Sequence, residues 1–86
     1  MRVEMAVFMH RLAEFLGYDT TVRQSERWAQ YEDTHLLHSW GIDAMMWAEY
    51  HGLLPLRQDY LLMPTESALR YETAVMLVRF WETFGW

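Results

Sequence analysis

Two copies of an arginine–glutamate pair stand out among the residues that could do chemistry. Arg2 and Glu4 open the chain, and Arg70 and Glu72 repeat the spacing further on. A guanidinium at the start of a helix, beside unpaired backbone N–H groups, suits a carboxylate or another anion. Arg70 could equally pair with Glu66 or Glu72, because surface ion pairs of this kind are common. The sequence therefore indicates an anion site or an internal ion pair near Arg70.

The central loop holds the other candidates for chemistry. His35 and His38 are three residues apart and could bind a metal together with Asp33, although loop histidines at this spacing are more often solvated. Glu32 and Asp33 are adjacent and so diverge, whereas general acid–base catalysis needs carboxylates across a cleft. No Ser–His–Asp order, phosphate loop or nucleophile elbow occurs. We therefore predict no enzyme, no metal site and no cofactor.

Each arginine–glutamate pair belongs to a longer repeated pattern. The residues that recur at a constant offset are Arg2, Glu4, Ala6, Val7, Arg11, Glu14 and Gly17, matched by Arg70, Glu72, Ala74, Val75, Arg79, Glu82 and Gly85. Apolar residues at three- and four-residue spacing indicate a helix in both copies, and the glycine is typical of a helix end. A fixed period marks a repeat architecture, so we interpret the chain as a repeat protein or a piece of one.

The periodicity predicts an all-α fold, a small three-helix domain over residues 1–86 with long, partly ordered connecting loops. We place the helices at 3–16, 40–51 and 68–84. Pro64 allows no more than a brief extended segment just before it.

Specific caps and core residues follow from the same pattern. Ser39 and Ser67 are the predicted N-caps, because a serine hydroxyl can accept from an unpaired backbone N–H. Trp28 and Tyr31 are predicted to pin the loop between the first two helices. The residues expected to be most buried are Phe8, Leu12, Ile42, Met46, Trp47, Leu77, Phe80 and Trp81.

The composition limits the classes of partner. A net charge of −5 and scattered basic residues argue against a sequence-independent grip on nucleic acid. No apolar run reaches the length of a membrane span, and the N-terminus has no signal-peptide pattern, so we expect no membrane insertion. The absence of cysteine excludes disulfides and thiolate sites. With 52% hydrophobic residues in 86, some aromatic surface should stay uncovered, which favours self-association.

The arginine–glutamate repeat and the tryptophan-containing segment that ends at Gly52 between its two copies make the chain resemble the S-layer homology (SLH) domain. Repeats of that family have a loop with aromatic–x–Asp, a tryptophan–alanine helix ending in Gly-Leu-Ile, a glycine-rich Tyr-Pro-Asp-Gly turn and a second helix opened by Thr-Arg-Ala-Glu. The matching segments here are Tyr31-Glu32-Asp33, Trp47-Ala48-Glu49-Tyr50-His51-Gly52-Leu53-Leu54, Leu62-Met63-Pro64 and Leu69-Arg70-Tyr71-Glu72. The segment Met1-Arg2-Val3-Glu4 would end the preceding repeat, so the match covers one full repeat plus a closing helix.

The glycine-rich turn departs from the family pattern. Residues 56–61 read Leu-Arg-Gln-Asp-Tyr-Leu where the family has Gly-Tyr-Pro-Asp-Gly-Thr, so Asp59 is kept and both glycines are lost. Leu69 also replaces the threonine that would cap the second helix.

The resemblance implies a non-catalytic cell-surface or extracellular module that binds secondary cell-wall polysaccharide, an anionic and often pyruvylated polymer. In the family, three repeats build a pseudo-threefold spindle with ligand in the grooves between repeats. The implied ligand-binding residues are Arg70, Glu72, Asp59, Arg2 and Glu4. The altered turn favours an alternative, a structural or self-associating helical module of the same type that has lost glycan binding.

Two aromatic residues are candidates for contact with another chain or ligand. Trp86 lies beyond the last helix, where a core position is least expected, and Tyr60 could stack on a sugar ring. The two predicted helices that begin near the Arg-x-Glu motifs, at 3–16 and 68–84, are here called the signature helices. A spindle needs three such helices and the chain supplies two, which leaves an apolar flank in a monomer. We therefore predict a homo-oligomer, most simply a two-fold dimer in which the first and last helices of both copies form a four-helix core.

Overall fold

The computed structural model describes residues 1–85 and confirms the all-α fold. Its elements are the helices α1 (Arg2–Phe15), α2 (Ser39–Tyr50) and α3 (Arg70–Phe84), with short 3₁₀ turns at Trp28–Gln30 and Thr34–Leu36. Over residues 1–85 the β-type backbone pairing is limited to one isolated bridge between Gln58 and Leu61. None of the helices described is long and apolar enough to cross a bilayer.

Helix α1 packs along α2, and a glycine sets how closely the two approach. A Cβ atom placed on Gly41 would fall 2.6 Å from Val3 Cγ2, so any larger residue there would force Val3 or its helix to shift. The other buried apolar residues of the two helices are Ala6, Met9, Ala13, Ala44, Met45, Trp47 and Ala48, four of them alanines. This close crossing forms the larger part of the core.

Helix α3 joins this core through an aromatic cluster. Phe84 stacks on Trp47 with ring centroids 5.7 Å apart, and Tyr18 stacks on Phe84 at 5.3 Å. The Trp47 indole Nε1 donates to the Asp19 carbonyl at 3.2 Å. Gly85 ends the helix with φ 59, a left-handed conformation that favours glycine.

The loop between α1 and α2 is pinned by Trp28 and Tyr31, as predicted. Both are buried, and their rings meet edge to face at 6.0 Å. The Tyr31 hydroxyl donates to Glu49 Oε2 at 3.0 Å, and the Ser25 hydroxyl donates to the other carboxylate oxygen of Glu49. Burial, with the negative charge of Glu49, raises the pKa of Tyr31 to about 12.

The predicted core is only partly correct. Trp47 and Phe80 are fully buried as expected, but Phe8 is 53% exposed and Trp81 is 58% exposed. Leu77 is also exposed, whereas Leu12, Ile42 and Met46 are half-buried. Both signature helices carry apolar residues on more than one side, and periodicity alone does not tell which side packs inward.

The predicted N-caps are wrong. Ser39 is already the first residue of α2, whose cap position is taken by His38. Helix α3 begins at Arg70 rather than at residue 68, and the extended residue before it is Leu69, not Ser67. A leucine side chain cannot accept a hydrogen bond, so α3 lacks the hydroxyl cap that serine would have supplied.

Candidate functional site

Arg2 of the first copy pairs with Glu72 of the second. Arg2 Nη1 lies 2.6 Å from Glu72 Oε2, and the two side chains are only 2% and 1% exposed. Arg2 Nε donates to the Leu62 carbonyl at 3.0 Å, and Nη2 donates to the Pro55 carbonyl at 2.9 Å. Arg2 therefore ties α1 both to the start of α3 and to the segment that leads into it.

Glu72 accepts hydrogen bonds from two further residues. Arg57 reaches it with Nε at 2.9 Å and Nη2 at 2.7 Å, and the Leu69 backbone N–H lies 2.9 Å from Oε1. These hydrogen bonds, led by those from Arg57, lower the pKa of Glu72 to about 2 despite its burial. Burial lowers the pKa of Arg2, an effect opposed by the charge of Glu72. The carboxylate is thus held ionised between two guanidinium groups.

This arrangement bears on the ion pair that the sequence allowed between Arg70 and Glu66 or Glu72. Glu72 is occupied by Arg2 and Arg57, and within residues 1–85 neither Glu72 nor Glu66 forms an ion pair with Arg70. Arg2 and Glu72, two of the candidate ligand-binding residues, instead have almost no surface to offer a ligand. Arg57 was missed because it lies in the irregular turn, where no periodicity marks a buried partner.

Of the three remaining candidate charges, Arg70 and Glu4 lie at the surface near the helix starts. Arg70 is exposed in the first turn of α3, next to Tyr71, which is also exposed. Glu4 is exposed in the first turn of α1, where its carboxylate lies 2.5 Å from the Met1 ammonium. The two exposed charges are the repeat counterparts of the buried pair.

The turn that carries Asp59 and Tyr60 keeps a tight geometry without glycine. The Leu61 N–H donates to the Gln58 carbonyl at 3.4 Å, and Tyr60 takes a left-handed φ of 65. The Tyr60 carbonyl accepts from the Glu32 N–H at 2.9 Å, which ties the turn to the central loop. Asp59 is exposed, and no hydrogen bond or ion pair described for residues 1–85 links it to Arg70. Trp86, the other predicted contact residue, lies outside the described residues.

Asp33 has a structural role instead of facing the loop histidines. Its buried carboxylate accepts from the backbone N–H groups of Leu62 at 3.0 Å and Met63 at 2.7 Å. His38 stacks on Trp40 with parallel rings 6.2 Å apart. The described part of the chain contains no group of three side chains suited to hold a metal ion.

Two hollows lie along the signature helices, an apolar one on α3 and one of mixed polarity on α1 that Trp40 of α2 helps to line. The α3 hollow has a volume of about 350 Å³ and is lined by Ala74, Val75, Val78, Arg79 and Glu82. The α1 hollow has a volume of about 310 Å³ and is lined by Glu4, Val7, Phe8, Arg11 and Trp40. Sequence reasoning foresaw an apolar flank on these helices but assigned some of its residues to the core.

A third, more polar groove lies between the end of α2 and α3. It has a volume of about 230 Å³, and its charged lining consists of Arg27, Arg79 and Glu49. Arg79 also donates to the Gly52 carbonyl at 3.3 Å, which holds its guanidinium at the groove. Two arginines and one hydrogen-bonded glutamate leave this groove suited to an acidic ligand.

Comparison with known proteins identifies no relative. The chain matches no protein-family model, no curated protein and no solved structure.

Proposed function

We propose that the chain is a non-catalytic structural module that self-associates through the outer sides of its signature helices. The observation that carries this proposal is the apolar surface of α3, where the large exposed residues are Tyr71, Leu77, Val78 and Trp81. Exposed apolar residues that gather along one helix typically mark an interaction site. At about 25 cal/mol per Å², covering a few hundred Å² contributes several kcal/mol before the entropy cost of association.

The charged groups with the most altered environments support a non-catalytic role. Glu72 is saturated by Arg2, Arg57 and a backbone N–H, and Tyr31 donates to Glu49. Altered pKa values often mark catalytic sites, but ion-pair networks that hold a fold produce the same effect. Here Glu72 and Tyr31 each form hydrogen bonds with internal partners.

The solution mass tests this proposal. Light scattering at micromolar concentration should report a mass above that of the 10.4 kDa chain, about twice that value for the simplest assembly. Trp81→Glu should reduce the mass to that of a monomer, because a charge at the interface would lose its hydration. Gln24→Glu adds the same charge at an exposed loop residue and should leave the mass unchanged. A wild-type protein that stays monomeric would refute the proposal.

A second candidate is binding of anionic cell-wall polysaccharide at a cell surface, as the SLH resemblance implies. Two features support it: the exposed Arg70 beside the exposed ring of Tyr71, and the groove between Arg27 and Arg79. Guanidinium groups suit the carboxylates of a pyruvylated polymer, and apolar rings suit the C–H faces of sugars.

Sedimentation with purified cell walls tests the second candidate and locates its site. Walls that carry pyruvylated polymer should retain the protein, and walls stripped of that polymer should not. Arg70→Ala should abolish retention if the ligand lies at the start of α3, and Arg79→Ala should do so if it lies in the groove. Arg23→Ala, at an exposed loop arginine, is the control. Equal recovery with intact and stripped walls would exclude this function.

A further inference from the structure

The two signature helices bury opposite sides although they share a sequence pattern. The buried residues of α1 are Arg2, Val3, Ala6, Met9 and Ala13. The buried residues of α3 are Glu72, Met76 and Phe80. These two sets do not correspond under the repeat offset, so each copy has two sides that pack in different ways.

The side that one copy buries is the side that the other copy exposes. The repeat counterparts of the buried α1 residues are Arg70, Tyr71, Ala74, Leu77 and Trp81, all of them exposed; we call them the α3 face. The counterparts of the buried α3 residues are Glu4, Phe8 and Leu12, of which the first two are exposed and the third is half-buried; we call them the α1 face. Each of the two kinds of helix side is therefore buried in one copy and left at the surface in the other.

The charges on the two faces are complementary in the same sense as the pair inside the chain. Internally, the arginine of one copy meets the glutamate of the other, Arg2 with Glu72 at 2.6 Å. The partners left at the surface are Arg70 on the α3 face and Glu4 on the α1 face. Contact between two α3 faces would bring arginines together, and contact between two α1 faces would bring glutamates together. Contact between unlike faces alone pairs Arg70 with Glu4.

We propose that the α3 face of one copy of this chain packs on the α1 face of a second copy, with Arg70 paired to Glu4. The proposal rests on the self-association proposed above and names its partner and its surfaces. Phe8 and Trp81, each more than half exposed in the monomer, become the central apolar contacts. Each face lies beside one of the two hollows, so both sides of the contact have room for a large side chain.

A mixing experiment tests this contact. Trp81→Glu damages the α3 face and leaves the α1 face intact, whereas Phe8→Glu does the reverse. Each variant alone should be monomeric by light scattering. At a concentration where the wild-type protein is also monomeric, the melting temperature of each variant should be close to that of the wild type, because both side chains are more than half exposed. An equimolar mixture should restore a one-to-one complex, since the intact α3 face of the Phe8→Glu chain can pack on the intact α1 face of the Trp81→Glu chain.

A charge reversal at two exposed positions gives an independent test, with the helix content of each variant checked by circular dichroism because Glu4 also binds the Met1 ammonium. Arg70→Glu should weaken association about tenfold or more, and adding Glu4→Arg in the same chain should restore it. The double variant carries the original net charge, so a general charge effect cannot explain recovery.

The outcomes separate the two proposals. A monomeric wild-type protein overturns both. A wild-type assembly that survives Phe8→Glu and is lost with Trp81→Glu indicates contact between two α3 faces, which overturns this inference and leaves the proposed function standing. An assembly that survives both substitutions, or a mixture of variants that stays monomeric, also overturns the inference.

Discussion

Helices α1 and α3 begin with the same arginine–x–glutamate motif, yet each buries the charge that the other exposes. Arg2 is 2% exposed and Glu72 is 1% exposed, whereas Glu4 and Arg70 lie at the surface. The segment between α2 and α3 causes the difference, because its carbonyl groups bind Arg2 and its Arg57 binds Glu72. The motif alone therefore does not determine which of its two charges is buried. The segment between α2 and α3 determines this by the partners it supplies.

Removing each arginine in turn tests whether the two helix starts differ in this way. Arg2→Ala should lower the free energy of unfolding by about 3–5 kcal/mol, because it strips Glu72 of a buried partner and leaves the Pro55 and Leu62 carbonyls without a donor. Arg70→Ala should change it by less than about 0.5 kcal/mol, as expected at an exposed position. Urea unfolding measures both. Equal losses would show that the two copies are equivalent after all.

The second comparison concerns adjacent aromatic residues of α3. Phe80→Ala should cost about 3–5 kcal/mol, because the ring is fully buried and its removal leaves a cavity. Trp81→Ala should cost much less, since the indole is 58% exposed in the single chain. The thermal melts should be recorded at a concentration where the protein is monomeric. A larger loss for Trp81 than for Phe80 would mean that the inward side of α3 is assigned wrongly.

The sequence was sufficient to predict what depends on local chemistry. Helix periodicity predicted the three helices, and Gly17 and Gly85, predicted to end the first and the last, both take positive φ. The pinning roles of Trp28 and Tyr31 were also predicted. The helices and their ends depend on residues close together in the chain, and the pins could be predicted because large aromatic rings in a polar loop favour burial.

What could not be predicted depends on long-range partners. The repeat pattern shows that Arg2 and Arg70 are equivalent in sequence, but the burial of Arg2 requires carbonyl groups more than fifty residues away. The exposure of Phe8 has a similar origin, because Gly41 lets α1 approach α2 along its side of small residues. The left-handed Tyr60 gave no signal either, since that conformation is normally marked by glycine.

The third comparison concerns how the buried Glu72 and the exposed Glu4 affect the pH dependence of unfolding. The folded pKa of Glu72, about 2, lies below its ordinary value of 4.5, so its ionised form stabilises the fold. This stabilisation, about 3 kcal/mol, should be complete above about pH 4.5 and should disappear as the pH falls towards 2. Glu72→Gln should flatten the pH dependence of unfolding in this window, whereas Glu4→Gln removes the exposed counterpart and should keep it. A steep acid dependence that persists in Glu72→Gln would contradict this assignment.

The smallest expected effect concerns how the two helices start. In each copy the glutamate of the motif accepts from the backbone nitrogen three residues earlier, Met1 for α1 and Leu69 for α3. This is one half of a capping box, and the half that needs a side-chain oxygen is missing.

Leu69→Thr should supply that half. Leu69 already has the extended conformation of an N-cap, φ −80 and ψ 153, so a hydroxyl there can accept from the Glu72 backbone N–H without moving the chain. We expect the free energy of unfolding to rise by about 1 kcal/mol relative to Leu69→Ala, which removes the same exposed side chain without adding a cap. Guanidinium unfolding of the two variants measures the difference. If the threonine variant gains nothing over alanine, the start of α3 is already fully stabilised by Glu72 and its two arginines, and the leucine at this position costs the fold nothing.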